Sequence, residues 1–518
     1  MIFYSDSTLY GLVIASIPGL VGLYFALFKS NFKLGLGLLL FSGFLMRMLM
    51  ISLDPFLHDW DERYHALVAK NLSQYPFKPM LRVDPIMSYD MEAWCCNHIW
   101  VHKQPFFMWQ MAISIFFFGT NEIAVRLPSA LMGVISIYFI FQIAKYWTKN
   151  TNIAFLASFL FTFSYYQLEL TAGRLSLEHN DLGFAFYVTA GIWAFTRYLQ
   201  SEKHIKWSII FGILIGCAIL IKWLTGLLVF GGWGLYILLN KTFRRDLKRW
   251  GHITLAFIIS VCVFLPWQLY ILSTFPEEAA IMFGHNGKHI FEVLDNQVGG
   301  IWFHINNLQL LYGKLFWFIL PFAFIVPFLK KNTSNKLTIS FLTMIVVLYA
   351  FFSFVVKTKM PAYTFPVYSL MWILIAMIVY SGIDYLLEQI KLKEKSIVFL
   401  VLFLALGWYV LKPDLIAEYR AETNEFRNNK INNTTVFKTY PFEELEDRVI
   451  LNCKGFEDTE LMFYQNVNAY HWYPPLELLD SLRNEGHKFA AFQNVTNQGL
   501  PGYINTAEDI ILIKDEIK

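Results

Sequence analysis

The stretch LGLGLLLFSGFLMRMLMIS, residues 34–52, is apolar for nearly its whole length and runs directly into a segment, residues 53–65, that carries acids and histidines. A bilayer core of about 30 Å takes roughly 20 apolar helical residues to cross, so the stretch reads as a membrane-spanning helix. Eleven more segments read the same way, near 9–28, 126–147, 152–168, 181–200, 207–221, 224–239, 252–272, 314–329, 337–356, 361–383 and 396–412. Composition agrees, with 56% hydrophobic and only 16% charged residues among 518. That balance excludes a set of water-soluble domains and makes the chain an α-helical multi-pass membrane protein. The first apolar stretch follows Met1 to Asp6 with no basic residue and no small-residue cleavage site, so it reads as a retained span and not a signal peptide.

The net charge of +3 conceals two regions. Residues 1–412 hold 32 basic and 21 acidic side chains, and residues 413–518 hold 10 basic and 18 acidic ones. The chain therefore divides into a cationic membrane block, 1–412, and an acidic, water-soluble tail, 413–518. Basic residues in short loops gather on the cytoplasmic side. Lys29/Lys33, Lys145/Lys149, Lys203/Lys206, Arg244/Arg245/Lys248/Arg249, Lys330/Lys331/Lys336 and Lys391/Lys393/Lys395 fall on alternate loops, and one choice of sidedness puts all six clusters inside. Residues 53–125, 169–180, 273–313 and 357–360, both termini and the tail are then outside. The apolar run from Pro105 to Gly119 is too short to cross and reads as a helix lying in the interface, as does Asp61 to Leu72. In the tail, strand-like runs at 448–453, 488–492 and 509–513 alternate with helix-like runs at 459–469 and 475–484, the pattern of a small α/β domain. No Lys/Arg-rich run points to a nucleic acid. Of the five cysteines, Cys95 and Cys96 are adjacent and Cys217 and Cys262 lie in apolar runs, which makes neither a disulfide framework nor a CxxC site.

Two acid clusters fall at the outer membrane face, Asp59-Trp60-Asp61-Glu62 and Glu178-His179-Asn180-Asp181. A carboxylate partly stripped of water there gains the basicity a general base needs. The competing reading makes Asp59, Asp61, Asn180 or Asp181 a helix cap. Lys103 and Arg126 flank the interfacial apolar run and either hold an anion or reach for lipid headgroups. Eight of the 12 histidines, His58, His65, His98, His102, His179, His285, His289 and His304, lie in the outer loops. The i, i+4 pairs His98/His102 and His285/His289 each suit a divalent metal or act as polar fillers.

Trp60-Asp61-Glu62 leading an Ala-Leu-Val-Ala-Lys helix, then His102-Lys103-Gln104-Pro105, then Phe118-Gly119 through Asn121-Glu122 to Arg126-Leu-Pro128, resemble in that order the motifs of a known family. It is the polyprenyl-phosphate-sugar glycosyltransferases of the GT-C fold, which include the protein O-mannosyltransferases and the aminoarabinose lipid A transferases. Pro361-Ala-Tyr363-Thr-Phe-Pro366 resembles a later motif of the same family. The likeness covers residues 55–200 and extends more weakly to 383.

The resemblance implies a GT-C-like bundle of about 12 transmembrane helices plus interfacial helices, followed by a small C-terminal α/β soluble domain. It implies Asp61 as the catalytic carboxylate with Glu62 beside it, and Lys103 on the lipid phosphate. From the outer-face clusters themselves, Arg126, His179 and His289 are further candidate substrate contacts. In the aminoarabinose enzymes a metal ligand precedes the lysine, a position held here by His102, so a divalent metal is the one cofactor expected. The chain departs from the pattern at His65, where the family has Tyr. It departs again at His179, where the second acid is expected, which leaves both Glu178 and Asp181 as candidates. The implied reaction moves a sugar from a polyprenyl-phosphate donor to a lipid, glycan or protein acceptor at the outer face of the cell (inner) membrane, with inversion. A transporter or lipid flippase is the competing class. Such proteins place ionisable or broken segments at mid-membrane, whereas the charges here gather at span ends.

Overall fold

Inside hydrocarbon a lone segment satisfies its backbone only as a helix, and the computed structural model is helical along the long apolar runs before residue 413. Its described residues are 4–88, 95, 97–175, 179–329, 333–392, 394–496 and 499–518. Cys96, Glu178, Lys330, Lys331 and Lys393 lie outside them. Helices α1 (Ser5–Phe28) and α2 (Phe32–Ser52) pair first, followed by α3 (Asp61–Gln74) and α4 (Phe106–Phe118), the two short elements expected in the interface. Next come α5 (Glu122–Thr148), the broken pair α6 (Thr151–Thr162) and α7 (Tyr165–Thr171), then α8 (His179–Gln200) and α9 (His204–Lys222). The block continues through α10 (Leu228–Leu239), α11 (Leu247–Thr274) and α12 (Pro276–Phe291) to the helices Asn335–Ala350, Tyr368–Gln389 and Lys395–Leu411.

Among the described residues eight helices are long and apolar enough to cross a membrane, or nine with α6 and α7 taken as one span bent by 49°. This is fewer than the twelve expected, although the other three segments are helical as well. Helix α8 opens on the polar His179-Asn180-Asp181, and α10 is only 12 residues long. The stretch 314–329 is interrupted at Pro321 and Pro327, whose missing N–H groups break it into short turns.

The tail builds a four-stranded parallel sheet from β1 (Arg448–Leu451), β2 (Asn468–Ala469), β3 (Lys488–Phe492) and β4 (Ile511–Ile513) in the order β2-β1-β3-β4. Strand β2 occupies the end of a stretch expected to be helical, where the helix stops at Tyr464. Two helices that no apolar pattern announces, Pro413–Tyr419 and Glu425–Thr439, join the sheet to the membrane block.

Buried charge fastens this α/β unit to the segment after α2. The Asp54 carboxylate receives Arg420 Nη2 at 2.8 Å and Arg427 Nε at 2.9 Å, and all three side chains are fully buried. Burial alone would raise the Asp54 pKa, but Arg420, His58 and Arg427 outweigh it and hold the carboxyl well below the usual range. Arg420 Nη1 also reaches Glu169 of α7 at 2.9 Å, and Arg174 Nε reaches the same carboxylate at 2.7 Å. One layer out, Arg63 meets Glu460 at 3.3 Å and Asp59 at 3.1 Å, while Lys430 bridges Asp59 at 3.1 Å and Glu460. Arg82 donates to Asp458 at 2.5 Å and lies over the Tyr470 ring, and Met87 enters the sheet's core beside Leu451 and Phe489.

Removing one member of a buried ion pair strands the other and costs about 3–5 kcal/mol. Asp54→Ala, which leaves Arg420 and Arg427 without their shared carboxylate, is therefore expected to lower the melting temperature of the detergent-purified protein by several degrees. It should also expose the peptide bonds after Arg420 and Arg427 to trypsin. Unchanged melting together with continued protection would show that the α/β unit is held by other contacts.

Candidate active site

The chain enters α3 through Trp60 at φ 61° and ψ −123°, a left-handed conformation that glycine adopts freely and a bulky residue does not. No side chain caps the helix: Trp60 is the capping residue, Asp61 is already the first helical residue, and Asp59 is ion-paired with Arg63 and Lys430. In α8, described from His179 onward, Asn180 and Asp181 are already helical, so none of Asp59, Asp61, Asn180 and Asp181 is a capping residue.

Glu62 is the centre of the arrangement. Its carboxylate accepts Arg126 Nε at 2.7 Å and Nη2 at 3.0 Å, His179 Nε2 at 2.9 Å and the His58 backbone N–H at 2.6 Å. Gly173 passes so close, at φ +77°, that a Cβ there would collide with the carboxylate. Burial raises the Glu62 pKa, but Arg126 and His179 more than reverse this and keep the group ionised far below its usual range. With these donors on its oxygens, the Glu62 carboxylate holds Arg126, His179 and the turn before α3 in place.

Two further expectations are corrected. A guanidinium has five N–H donors, and Arg126 commits all of them: three go to the Ile51, Asp54 and Phe56 carbonyls and two to Glu62. His179 commits Nε2 to Glu62 and accepts the Ser129 hydroxyl on Nδ1 at 2.7 Å. Neither side chain has capacity left for a substrate. Successive helical residues are rotated by about 100°. With Glu62 pinned to Arg126 and Arg63 pinned to Glu460, α3 has one rotational setting, and half-buried Asp61 takes its direction from those two neighbours.

From Glu62 the contacts run through His179 into the first turn of α8, where Asp181 is ion-paired with Lys222 at the end of α9. Lys222 lies 5.3 Å from the centre of the Tyr363 ring, in the Pro361–Val367 turn formed by the late proline motif. His289 of α12 holds Thr358 Oγ1 through Nδ1 at 3.1 Å. Burial first, and then the charges of Lys103, His285 and Lys222, push His289 down to about 4, so it is neutral at pH 7. Lys103, half-buried, and Lys222 are both near enough to His289 for their charges to act on it.

Of the two i, i+4 histidine pairs, the one on α12 stands in a group of three candidate metal-ligating side chains. Donor atoms of His285, His289 and Asp295 all lie within 4.8 Å of one another, and neither His102 nor His98 belongs to this group. Buried His285 Nε2 has no partner among the described residues, and His289 keeps Nε2 for a ligand, so two neutral imidazoles and a carboxylate suit a divalent cation. His102 is buried with its ring 5.9 Å from that of His285, and its carbonyl accepts Asn286 at 2.9 Å. Lys222 and Asp295 went unread in the sequence. A single lysine ending an apolar run looks like any snorkelling residue, and Asp295 follows the helix that carries its partners.

Residues 102–270 match the family model described as dolichyl-phosphate-mannose-protein mannosyltransferase. The undecaprenyl phosphate-alpha-4-amino-4-deoxy-L-arabinose arabinosyl transferase 2 of Pseudomonas fluorescens (strain Pf0-1) is 25% identical over 266 residues, 50% of this chain and 46% of that protein. The chain thus spans about half the length of the curated relatives it matches. ArnT from Cupriavidus metallidurans, solved bound to undecaprenyl phosphate, superposes with a TM-score of 0.58 at 16% identity, over 87% of this chain and 88% of ArnT. The archaeal oligosaccharyltransferase AglB from Archaeoglobus fulgidus gives 0.57 at 13% identity, over 86% and 65%. The chain is a multi-pass membrane protein of the GT-C fold. Within that fold it resembles the polyprenyl-phosphate-sugar glycosyltransferases, as its sequence motifs implied.

If Glu62 and Arg126 form one structural unit, Glu62→Gln and Arg126→Ala are each expected to destabilise the protein by about 3–5 kcal/mol. The double variant should lose clearly less than their sum, because most of each single loss is the stranded partner. Thermal melting of the four proteins checks this, and additive losses would separate the two residues.

Proposed function

We propose that the chain transfers a sugar from a polyprenyl-phosphate donor to a hydroxyl of a lipid, glycan or protein acceptor, at the extracytoplasmic face of the cell (inner) membrane. The observation that carries this reading is that Glu62 of α3 pairs with His179 and, two residues on in α8, Asp181 pairs with Lys222, which ties the helix of Asp61 to a cation at the end of α9 on a GT-C scaffold. A solved neighbour of that fold, ArnT, holds undecaprenyl phosphate, and a lipid anion of this kind calls for cations at the end of a membrane span.

Asp61 takes the proton of the acceptor hydroxyl as the acceptor oxygen attacks the anomeric carbon. The bond from that carbon to the phosphate oxygen breaks with its electron pair on the phosphate. Lys103 and Lys222 stabilise the charge that develops there, where little water competes, and Asp181 keeps Lys222 in place. A single displacement inverts the anomeric centre. His285, His289 and Asp295 would hold a divalent cation, which would add Lewis-acid stabilisation of the phosphate.

Asp61→Asn is expected to melt as wild type while sugar transfer falls by about 10² or more, the scale of a lost general base. Lys103→Ala should raise the KM for the lipid donor, a charge-assisted contact being worth about 1.5–3 kcal/mol, and Lys103→Arg should restore it only in part. A fully active Asp61→Asn enzyme would refute the mechanism.

The cation is tested separately. Chelation should lower transfer, added Zn²⁺ or Mg²⁺ should restore it, and His285→Ala should abolish that restoration along with the bound metal seen by elemental analysis. Full activity after exhaustive chelation would remove the cation from the reaction.

A further inference from the structure

Asn180 stands between two residues whose side chains are already committed. His179 spends both ring nitrogens on Ser129 and Glu62, and Asp181 is paired with Lys222. Asn180 is 1% exposed, yet neither its Oδ1 nor its Nδ2 meets a partner among the described residues. Two polar groups on the neighbouring α7 share this condition. Tyr166 Oη and Gln167 Oε1 are buried without a partner, and Tyr166 is near enough to Asp181 to feel its charge.

Unmet buried polar groups are rare in folded proteins, and each costs about 1–3 kcal/mol. A residue required only to pack at this position would be better as leucine, which has the same branched shape and no polar atoms. Both ends of a carboxamide left open beside a candidate active site therefore indicate a ligand with a donor and an acceptor of its own. A phosphate offers acceptors only and would be repelled by Oδ1, and the cations that suit it are Lys103 and Lys222. A sugar hydroxyl both donates and accepts.

We propose that Asn180 is a substrate-binding residue for the transferred sugar: Nδ2–H donates to one hydroxyl of the ring and Oδ1 accepts from the adjacent one. This rests on the glycosyltransferase reading above and assigns the sugar, as distinct from the lipid phosphate, to the first turn of α8. Sites built around hydrogen bonds to a substrate discriminate strongly against analogues that leave those bonds unmade. The same residue would thus set which sugar is accepted.

The test uses the full chain in detergent and three lipids: undecaprenyl phosphate, undecaprenyl phosphate-mannose and undecaprenyl phosphate-4-amino-4-deoxy-L-arabinose. Asn180→Leu is expected to melt at or above the wild-type temperature and to bind bare undecaprenyl phosphate as wild type does. Its affinity for whichever sugar-bearing lipid the wild type prefers should fall by tenfold or more. Asn180→Ala, which removes the amide without adding bulk, should lose the same preference. Variants that keep the wild-type ratio of sugar-bearing to bare lipid affinity would overturn the inference and leave the proposed function standing, as would a wild type that does not distinguish the three lipids. A wild type that binds no polyprenyl phosphate at all would remove the proposed function and this inference with it.

Discussion

A carboxylate sealed away from water must find a donor for each of its lone pairs or give up its charge. Glu62 finds four, from a guanidinium on α5, an imidazole on α8 and the backbone of the turn before α3. The interaction is directional because the guanidinium fork is planar, and Arg126 can serve Glu62 and three carbonyls at once only with α2, α3 and α5 in a single relative setting. Gly173 supplies the clearance that lets the backbone just after α7 pass against the carboxylate. Helix α3, His179 of α8 and, through Asp181 in the same turn, Lys222 are all tied to this one packed charge.

The architecture was legible in the sequence where the solvent dictates it. Hydrocarbon thickness sets the length of a span, so the apolar runs mark their own positions, and the alternation in the tail marks three of the four strands. What escaped was structure held by charge at a distance. The helix Glu425–Thr439 is almost wholly polar and has no apolar face to betray it. Its place is fixed by Arg427 and Lys430, which pair with acids more than three hundred residues earlier. No local pattern records such a partner.

The candidate site divides along the same line. Asp61 and Lys103 stand out in the sequence because they sit in ordered motifs. Arg126 and His179 looked like substrate contacts because a cation near acids reads alike whether it faces a ligand or a buried carboxylate. Only burial and a count of donors separate the two cases, and both are properties of the folded chain. The α12 histidines at i, i+4 were visible as a pair, but their third member, Asp295, comes to them through the turn that ends the helix.

The pairing of Asp54 with Arg420 spans 366 residues, and this has a consequence for how the protein is made. At a synthesis rate of about 5–20 residues per second, the turn leading into α3 waits roughly 20–70 seconds for the side chains that neutralise Asp54. During that interval α2 and α3 are already at the membrane, with an acid at their junction whose partners have not yet left the ribosome. The newborn chain therefore completes this junction in a late step, when the segment from 413 onward folds back onto the turn after α2. Until then the cell holds a membrane-inserted intermediate in which Asp54 stays hydrated, a form that chaperones or proteases could recognise as unfinished.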